Sequence, residues 1–277
     1  MAVAKRDPQV QALARGLEIL DLLLEAGGPV TGGELARRVG LHESSVSRLL
    51  QTLIRSGYVS RVAGGNVPAL RMLRFSRVTG AFPMIGRVRP VLERIAADHP
   101  QHHVNLCAYG QCDVTHLVRC QTGTDTITGF SFPLHRSSAA MRHLADLPDD
   151  EALAALRSSR TRYGWAGGPQ LPPDEPSALA WARQHLHHDV LVLSEWTAGA
   201  VSGAIPLGVA GDEPLLLAIG GPSGGDPNRL HLWLHDARRR VEHALTDLDH
   251  PSEPVAVPDL TDPTPDHLHP TVERELT

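Results

Sequence analysis

The stretch that decides the fold runs from residue 31 to residue 57 and reads TGGELARRVGLHESSVSRLLQTLIRSG. Its first part predicts a short amphipathic helix, because apolar residues recur there at helical spacing. Thr31 and Glu34 have the spacing of a capping box at the start of this helix. Gly40 supplies the positive φ that ends a helix. The stretch therefore opens with a capped helix that stops at a glycine turn.

A second amphipathic helix is predicted from about His42 to Ser56. Its apolar face consists of Val46, Leu49, Leu50 and Leu53. Its opposite face carries short hydrogen-bonding side chains and one arginine, namely Glu43, Ser44, Ser45, Ser47, Arg48, Gln51 and Thr52. Two helices joined by a glycine-containing turn, the second polar on its outer side, are typical of a helix-turn-helix. In that motif the second helix enters the major groove of DNA.

Residues 15–61 extend this motif in both directions and read RGLEILDLLLEAGGPVTGGELARRVGLHESSVSRLLQTLIRSGYVSR. The pattern RGL-x-IL, ELA-x-x-x-GL, SS-V-x-RLL-x-TL and G-Y-V resembles the DNA-binding domain of the IclR family of bacterial transcriptional regulators. With a later PLH segment, the resemblance covers roughly residues 10–248. It implies a winged helix-turn-helix, a GAF-like effector-binding domain, and assembly as a homodimer or as a homotetramer built from two dimers.

Length and composition agree with a two-domain globular protein. The chain has 277 residues, of which 42% are hydrophobic. It contains no run of about 18 apolar residues, so no membrane span is expected. The first ten residues lack the apolar core of a signal peptide, which predicts a cytoplasmic protein. The three cysteines show no CxxC spacing and are expected to be reduced.

Charge is distributed unevenly along the chain. Residues 1–75 carry a net charge of +4, whereas residues 76–277 carry a net charge of −9. A basic N-terminal part on an acidic body is compatible with local contacts to phosphates.

Four regions are predicted along the chain. They are a winged helix-turn-helix at 8–70, a linker helix at 71–85, an effector-binding domain at 86–249, and a disordered acidic, proline-rich tail at 250–277. The tail contains six prolines and six acidic residues, a composition that cannot bury a core. The order of strands and helices after residue 101 is β-β-β-α…β-β-β-α, which indicates an α+β fold.

Two further elements complete the predicted N-terminal domain. A first helix from Gln11 to Ala26 carries regularly spaced leucines that are expected to be core residues. After Gly57, two short apolar runs around a Gly-Gly turn predict the hairpin of the wing. Pro68 cannot donate a hydrogen bond to a strand, so the second strand is expected to be short or distorted.

The predicted DNA contacts lie on the second helix, at the helix starts and on the wing. Serine, threonine and glutamine can bond phosphates or base edges, and arginine can bind guanine through two hydrogen bonds. The predicted residues are Thr31, His42, Glu43, Ser44, Ser45, Ser47, Arg48, Gln51, Thr52 and Arg61. The alternative is an ordinary solvated helix face, with Arg48 paired to Glu43.

A second candidate site begins at PLHRSSAAM, residues 133–141. This run resembles the family's PLH-x-(S/T)-x-x-G-K segment, in which a helix N-terminus lines the effector cavity. Unpaired N–H groups at such a terminus favour carboxylates. The resemblance implies effector contacts at Phe132, Ser138, Ala139, Val192, Glu195, Ala200, Ser202, Ala218 and Gly220.

This chain departs from the family pattern at several cavity positions. Ala140 and Met141 replace the usual Gly-Lys pair, and Ala218 and Gly220 replace two serines. A less polar cavity indicates a small organic effector that is largely apolar or aromatic. Two alternatives remain, namely that ligand sensing has been lost or that these residues only build the core.

Sixteen histidines raise the question of a metal site. His231 and His235 are four residues apart on one predicted helix, but no third ligand is fixed by spacing, so no metal and no cofactor are predicted. The runs GAVSG and GFSFP do not match the G-x-S-x-G of hydrolases, and GGPSGG lacks the GK-(S/T) of a phosphate-binding loop. The protein is therefore expected not to be an enzyme.

The sequence favours an IclR-like transcription factor, either repressor or activator. It is expected to bind a partly palindromic double-stranded DNA operator under the control of a small-molecule effector. The alternative is a small-molecule or metal-binding sensor that acts through protein contacts and has no specific operator. A hydrolase is a more distant third possibility.

Overall fold

The computed structural model describes residues 10–72, 82–110, 112–127, 129–209, 213–224 and 227–246. The predicted linker helix at 71–85 lies mostly outside the described residues, and the predicted tail at 250–277 lies entirely outside them. No helix among the described residues is both long enough and apolar enough to cross a membrane.

The N-terminal part is a winged helix-turn-helix, as the sequence predicts. Its elements are α1 (Gln11–Glu25), α2 (Gly32–Val39), α3 (Glu43–Arg55), β1 (Val59–Val62) and β2 (Gly65–Pro68). The three helices bury one apolar cluster between them, which includes Ile19, Leu23, Leu35, Val46 and Leu50. This cluster fixes α3 with its opposite face exposed to solvent.

The ends of α2 follow the sequence signals. The Thr31 hydroxyl accepts a hydrogen bond from the Glu34 backbone N–H at 3.2 Å. Gly40 adopts φ 66° and its N–H bonds to the Ala36 carbonyl, which ends the helix. The Glu34 carboxylate bonds to Arg38 instead of returning to the helix start, so only half of the predicted capping box is present.

The leucines of α1 correct one expectation. Leu20 and Leu23 are buried, but Leu13, Leu17 and Leu24 keep 63%, 54% and 53% of their surface exposed. The reason is that α2 and α3 cover only one side of α1. The prediction that all of these leucines are core residues is therefore wrong, and α1 presents an apolar stripe to solvent.

The wing is a short antiparallel hairpin whose second strand has four residues. Its register pairs Val59 with Pro68 and Val62 with Gly65. Gly65 has φ 150°, and a Cβ there would collide with the Val30 carbonyl, so only glycine fits at this position. Pro68 is the last residue of β2, where a missing N–H costs least, which agrees with the expected short strand.

The C-terminal part is an α+β domain built on one six-stranded antiparallel sheet. Its strands are β3 (His103–Gly110), β4 (Asp113–Gln121), β5 (Phe130–Ser131), β6 (Leu191–Ser194), β7 (Ala200–Pro206) and β8 (Leu215–Pro222). Their order across the sheet is β5-β4-β3-β8-β7-β6. The third predicted strand, 125–132, contributes only the two residues of β5 and an isolated bridge between Ile127 and Arg119.

Helices cover both faces of this sheet. They are α4 (Pro83–Asp98), α5 (Ser138–Leu144), α6 (Asp149–Tyr163), α7 (Glu175–Gln184) and α8 (Pro227–Thr246). One apolar core lies between the sheet and the pair α4 and α8, and includes Leu92 and Leu234. A second core lies between the sheet and α5, α6 and α7, and includes Met141 and Leu156. A short 3-10 turn, Leu134–Arg136, leads into α5 beside this second core.

Candidate nucleic-acid interface and effector cavity

Helix α3 presents its polar face to solvent from its first residue onward. His42 is its N-cap, and the ring nitrogen Nδ1 accepts a hydrogen bond from the Ser44 backbone N–H at 3.4 Å. Ser44, Ser47, Arg48, Gln51 and Thr52 are exposed, while Ser45 is half-buried. The buried face, with Val46 and Leu50, is the one that the hydrophobic pattern predicted.

The polar face of α3 borders two different grooves. On the α1 side, Ser45, Arg48 and Thr52 line a groove with Arg15 and Glu18. On the wing side, a second groove is lined by the predicted contacts Thr31, Glu43, Ser47 and Arg61. At 3.6 residues per turn, Ser44 and Gln51 lie on the ridge between the two flanks. All ten predicted DNA contacts therefore lie on or beside one exposed ridge.

Two of the three arginines that line these grooves have no carboxylate partner among the described residues, whereas Arg15 pairs with Glu18 at 2.7 Å. Arg48 and Arg61 are exposed, and neither forms an ion pair with any residue that the structure describes. The alternative pairing of Arg48 with Glu43 is not formed, since the Glu43 carboxylate lies close to Gly33 of α2. Thr52 is less available, because its hydroxyl donates to the Arg48 carbonyl at 3.1 Å.

A cavity of about 300 Å³ lies on the α5 side of the sheet. Strands β3, β4, β6, β7 and β8 form its floor, and the turn before α5 and the loop after β6 form its walls. Five of the nine predicted effector contacts meet in this cavity, namely Phe132, Ser138, Ala200, Ser202 and Ala218.

The other four predicted effector contacts are not part of the cavity lining. Ala139 is fully buried in the core under α5, and Val192 packs against the core on the α4 side of the sheet. The Glu195 carboxylate accepts the Gly199 backbone N–H at 2.9 Å in the loop that leads into β7. Gly220 adjoins the cavity, where an added Cβ would lie 2.7 Å from Nε2 of His103.

The polar groups that dominate the cavity were not among the predicted contacts. They are His103 and Asn105 on β3, His116 and Arg119 on β4, Arg136 in the 3-10 turn, and Trp196 and Thr197 in the loop after β6. A signal existed for those on β3 and β4, since polar residues inside otherwise apolar strands mark a lined cavity or a buried network.

Burial sets the charge of the cavity. It lowers the pKa of His116 to about 4 and the pKa of His103 to about 3, and the neighbouring Arg119 adds to both shifts. Both imidazoles are therefore neutral near pH 7. Burial also lowers the pKa of Arg119, whose side chain forms no ion pair with any described residue.

Arg136 is held in place by neutral partners. Its Nε donates to the Thr197 hydroxyl at 3.1 Å, and its guanidinium carbon lies 5.2 Å from the centre of the Phe132 ring. One backbone N–H group at the nearby start of α5 already has a partner, because the Ala140 N–H donates to the Ser137 hydroxyl at 3.2 Å. Arginine side chains, more than the helix start, give this cavity its positive character.

A separate and wider cleft separates α1 from the C-terminal domain. It is bordered by four carboxylates, those of Asp21, Glu25, Asp113 and Glu213, and by Arg162. Glu25 of α1 accepts hydrogen bonds from Arg162 at 2.7 Å and from the Tyr163 hydroxyl at 3.0 Å. These contacts connect the helix-turn-helix directly to the C-terminal end of α6.

The histidines that the structure describes do not converge on a metal-binding geometry. Among the residues that the structure describes, no group of three or more His, Cys, Asp or Glu side chains is arranged to hold a metal ion. The ring of His187 lies 4.1 Å from that of His188 and 5.5 Å from that of His231, measured between ring centres.

The comparisons with known proteins agree with this architecture. Residues 12–63 match the model of the IclR helix-turn-helix domain. The chain is 29% identical over 170 residues to the transcriptional repressor IclR of Escherichia coli, covering 56% of this chain and 60% of that protein. It superposes on an IclR family transcriptional regulator from Brucella abortus with a TM-score of 0.69 and 26% identity, covering 85% of this chain and 93% of the other.

The chain is thus similar to members of the IclR family, and its helix-turn-helix domain matches theirs over residues 12–63. An IclR homolog from Microbacterium hydrocarbonoxydans, solved in complex with 4-hydroxybenzoate, shares the fold with a TM-score of 0.59 and 20% identity, over 84% of this chain and 98% of the other. The chain spans about three fifths of the length of the curated IclR-type relatives that it matches. The matched IclR domain contains α1, α2, α3 and β1, so it includes the predicted DNA-binding helix.

Proposed function

We propose that the protein is a transcriptional regulator that binds double-stranded DNA through α3 and the wing. The observation that carries the proposal is the exposed polar ridge of α3. Its central arginine, Arg48, has no ion pair within the described residues, and Arg61 of the wing lies across the adjoining groove. Arginines without carboxylate partners suit phosphates and guanine edges. We propose no catalytic role and no cofactor, and we propose that the protein acts in the cytoplasm.

The proposed assembly is a homodimer, with a homotetramer formed as a dimer of dimers. Its support is the apolar stripe of α1, where Leu13, Leu17 and Leu24 are each more than half exposed. Leucines at this spacing on one helix suit packing against a second copy of the same helix. A twofold dimer requires operator half-sites about one helical turn apart, or a multiple of it.

The proposed control is exerted by a small organic molecule in the cavity below α5. The volume of the cavity suits a compact ligand, and its walls combine apolar side chains with a few polar ones, as in other ligand sites. The Microbacterium homolog was solved with an aromatic acid, 4-hydroxybenzoate. An aromatic or largely apolar effector is therefore the class that we propose.

We also propose the division of the chain into a DNA-binding domain at 8–70, a linker at 71–85, an effector domain at 86–249 and a tail at 250–277. We propose as well that the effector domain has the GAF-like fold that the resemblance implies. Its support is the six-stranded antiparallel sheet with helices on both faces.

A footprint on the DNA flanking the protein's own gene tests the DNA-binding function. We expect a protected, partly palindromic segment, and an affinity that falls steeply as salt concentration rises. A sensor that acts only through protein contacts would protect no segment. The absence of protection at low salt, with the protein folded by circular dichroism, would contradict the proposal.

A further inference from the structure

We propose that the cavity below α5 binds a small organic dianion, a dicarboxylate on a compact apolar or aromatic scaffold. In this proposal Arg119 and Arg136 each bind one of the two charged groups. The inference rests on the proposed function of the cavity as the effector site. It adds the chemical class of the ligand and the two residues that select it.

The first support is the balance of charge around the cavity. Its lining contains two arginines, and no Asp or Glu among the described residues. A guanidinium does not lose its proton in a protein, so its charge must be balanced by an anion or by water. His103 and His116 add no charge, because burial keeps both neutral near pH 7. The site therefore carries two positive charges. A dianion balances both of them, whereas a monoanion balances only one.

The second support is the way in which the two arginines are held. Arg136 uses Nε for the Thr197 hydroxyl and lays its guanidinium over Phe132, so its terminal N–H groups remain for a ligand. Arg119 has no side-chain hydrogen bond to any described residue. A carboxylate can accept two parallel hydrogen bonds from such a guanidinium, and these bonds are stronger than bonds between neutral groups.

The third support concerns the space between the charged groups. Leu193, Ala218 and Phe132 line the cavity with apolar surface, which suits a hydrocarbon or aromatic scaffold. Two buried polar atoms in the lining, Oδ1 of Asn105 and Nε1 of Trp196, have no hydrogen-bond partner among the described residues. Such atoms are costly when buried without a partner. A ligand hydroxyl can donate to Asn105, and a ligand oxygen can accept from Trp196.

Calorimetric titration of the full chain tests this proposal with probes that differ only in charge. The probes are the three benzenedicarboxylate isomers, benzoate and benzamide, at constant ionic strength near pH 7. We expect at least one dicarboxylate to bind about tenfold or more tightly than benzoate, since one extra charge-assisted pair is gained. Benzamide should bind more weakly still.

Two variants assign the preference to the arginines. Arg119→Gln and Arg136→Gln should each reduce the advantage of the dicarboxylate over benzoate to about threefold or less. Arg157→Gln is the matched control, because Arg157 is an exposed arginine on α6 outside the cavity lining. If circular dichroism shows that Arg119→Gln does not fold, Arg136→Gln, which lies in the turn before α5, provides the same comparison.

The outcomes separate the ligand class from the proposed function. Equal binding of benzoate and the dicarboxylates, no binding of any dicarboxylate at millimolar concentration, or an unchanged preference in both variants would overturn the dianion site. Selective dicarboxylate binding that leaves the DNA affinity unchanged would support the site and reject only its regulatory role. A failure to protect any DNA would reject the proposed function without affecting the titration result.

Discussion

The ridge of α3 and the cavity below α5 are the two surfaces for which we propose binding partners, but they are built in different ways. The ridge comes from one helix of 13 residues, so its members are neighbours because of helical spacing. The cavity collects residues from positions 103 to 221, on five strands, the first residue of α5 and two connecting segments. A surface built from one helix is determined by local periodicity, whereas the cavity depends on how the sheet is ordered.

The two sites also differ in whether the residues that stabilise the fold are distinct from those proposed to contact a ligand. On α3 the buried and exposed faces are distinct, so a contact residue can be changed with little effect on folding. In the cavity the recognition groups are themselves half-buried or buried against the core of the sheet. Variants of the two sites should therefore behave differently.

The largest expected effect is on the buried face of α3. Leu50 is 2% exposed in the core of the helix-turn-helix, so Leu50→Ala should lower the free energy of unfolding by about 2–5 kcal/mol. Gln51→Ala, at the next position on the exposed ridge, should change it by no more than about 0.5 kcal/mol. Chemical denaturation of both variants makes the comparison. Similar losses would show that the two faces of α3 are not separate.

The cavity should make stability depend on pH. The folded state holds the pKa of His116 near 4, below its ordinary value of 6.5, so the unfolded chain binds more protons between those values. The free energy of unfolding should fall as pH drops from about 6.5 to 4, and His116 alone accounts for at most about 3 kcal/mol. His103, Arg119 and Cys107 surround this ring, and His103 should act in the same direction.

His116→Gln is the variant that isolates this contribution. It should reduce the pH dependence between pH 6.5 and 4, because glutamine does not titrate in this range, and the remaining slope should come largely from His103. Denaturation curves measured across the range for wild type and variant provide the check. Identical slopes would mean that His116 stays accessible to protons in the folded state.

The ridge should show the opposite pattern. Arg48→Ala should weaken binding to the footprinted DNA by about 1–3 kcal/mol if the arginine contacts a base edge. Its free energy of unfolding should stay within about 0.5 kcal/mol of wild type, because the side chain is exposed and without an ion pair to any described residue. Gel-shift titration and denaturation on the same preparation measure both quantities. Unchanged DNA binding would remove Arg48 from the interface.

The smallest effect should come from the contact that joins the two domains. Glu25 and Arg162 form an ion pair at 2.7 Å, with each side chain about one third exposed, so solvent screens much of their attraction. A double-mutant cycle of Glu25→Ala and Arg162→Ala should give a coupling energy of about 0.5–1 kcal/mol that decreases in high salt. A coupling energy of zero at low salt would mean that the two domains do not make this contact in solution.

The sequence predicted the N-terminal domain closely because its signals are local. Helix α3 was expected from about His42 to Ser56 and runs from Glu43 to Arg55, with His42 as its cap. The end of α2 at Gly40 and the short β2 that ends at Pro68 were also predicted from residues adjacent in the chain. Each of these features depends on a few positions that are adjacent in the chain.

The cavity could be predicted only in part, for a physical reason. Ser202 and Ala218, which the resemblance implied as effector contacts, line the cavity, but Arg119 and Arg136 were not identified as a pair. Arg119 reaches the cavity because β4 lies beside β3, and Trp196 because the loop after β6 folds back over the sheet. Strand order is a non-local property, and periodicity contains no information about it.

One measurement tests the central claim most directly. Fluorescence anisotropy should compare the affinity of the full chain for the footprinted segment with its affinity for a scrambled segment of the same length and composition. The account predicts binding to the footprinted segment tighter by about a thousandfold or more at physiological salt, and a smaller ratio for Arg48→Ala. If wild type and Arg48→Ala each bound the two segments with equal affinity, the claim that α3 recognises a specific DNA sequence would be contradicted.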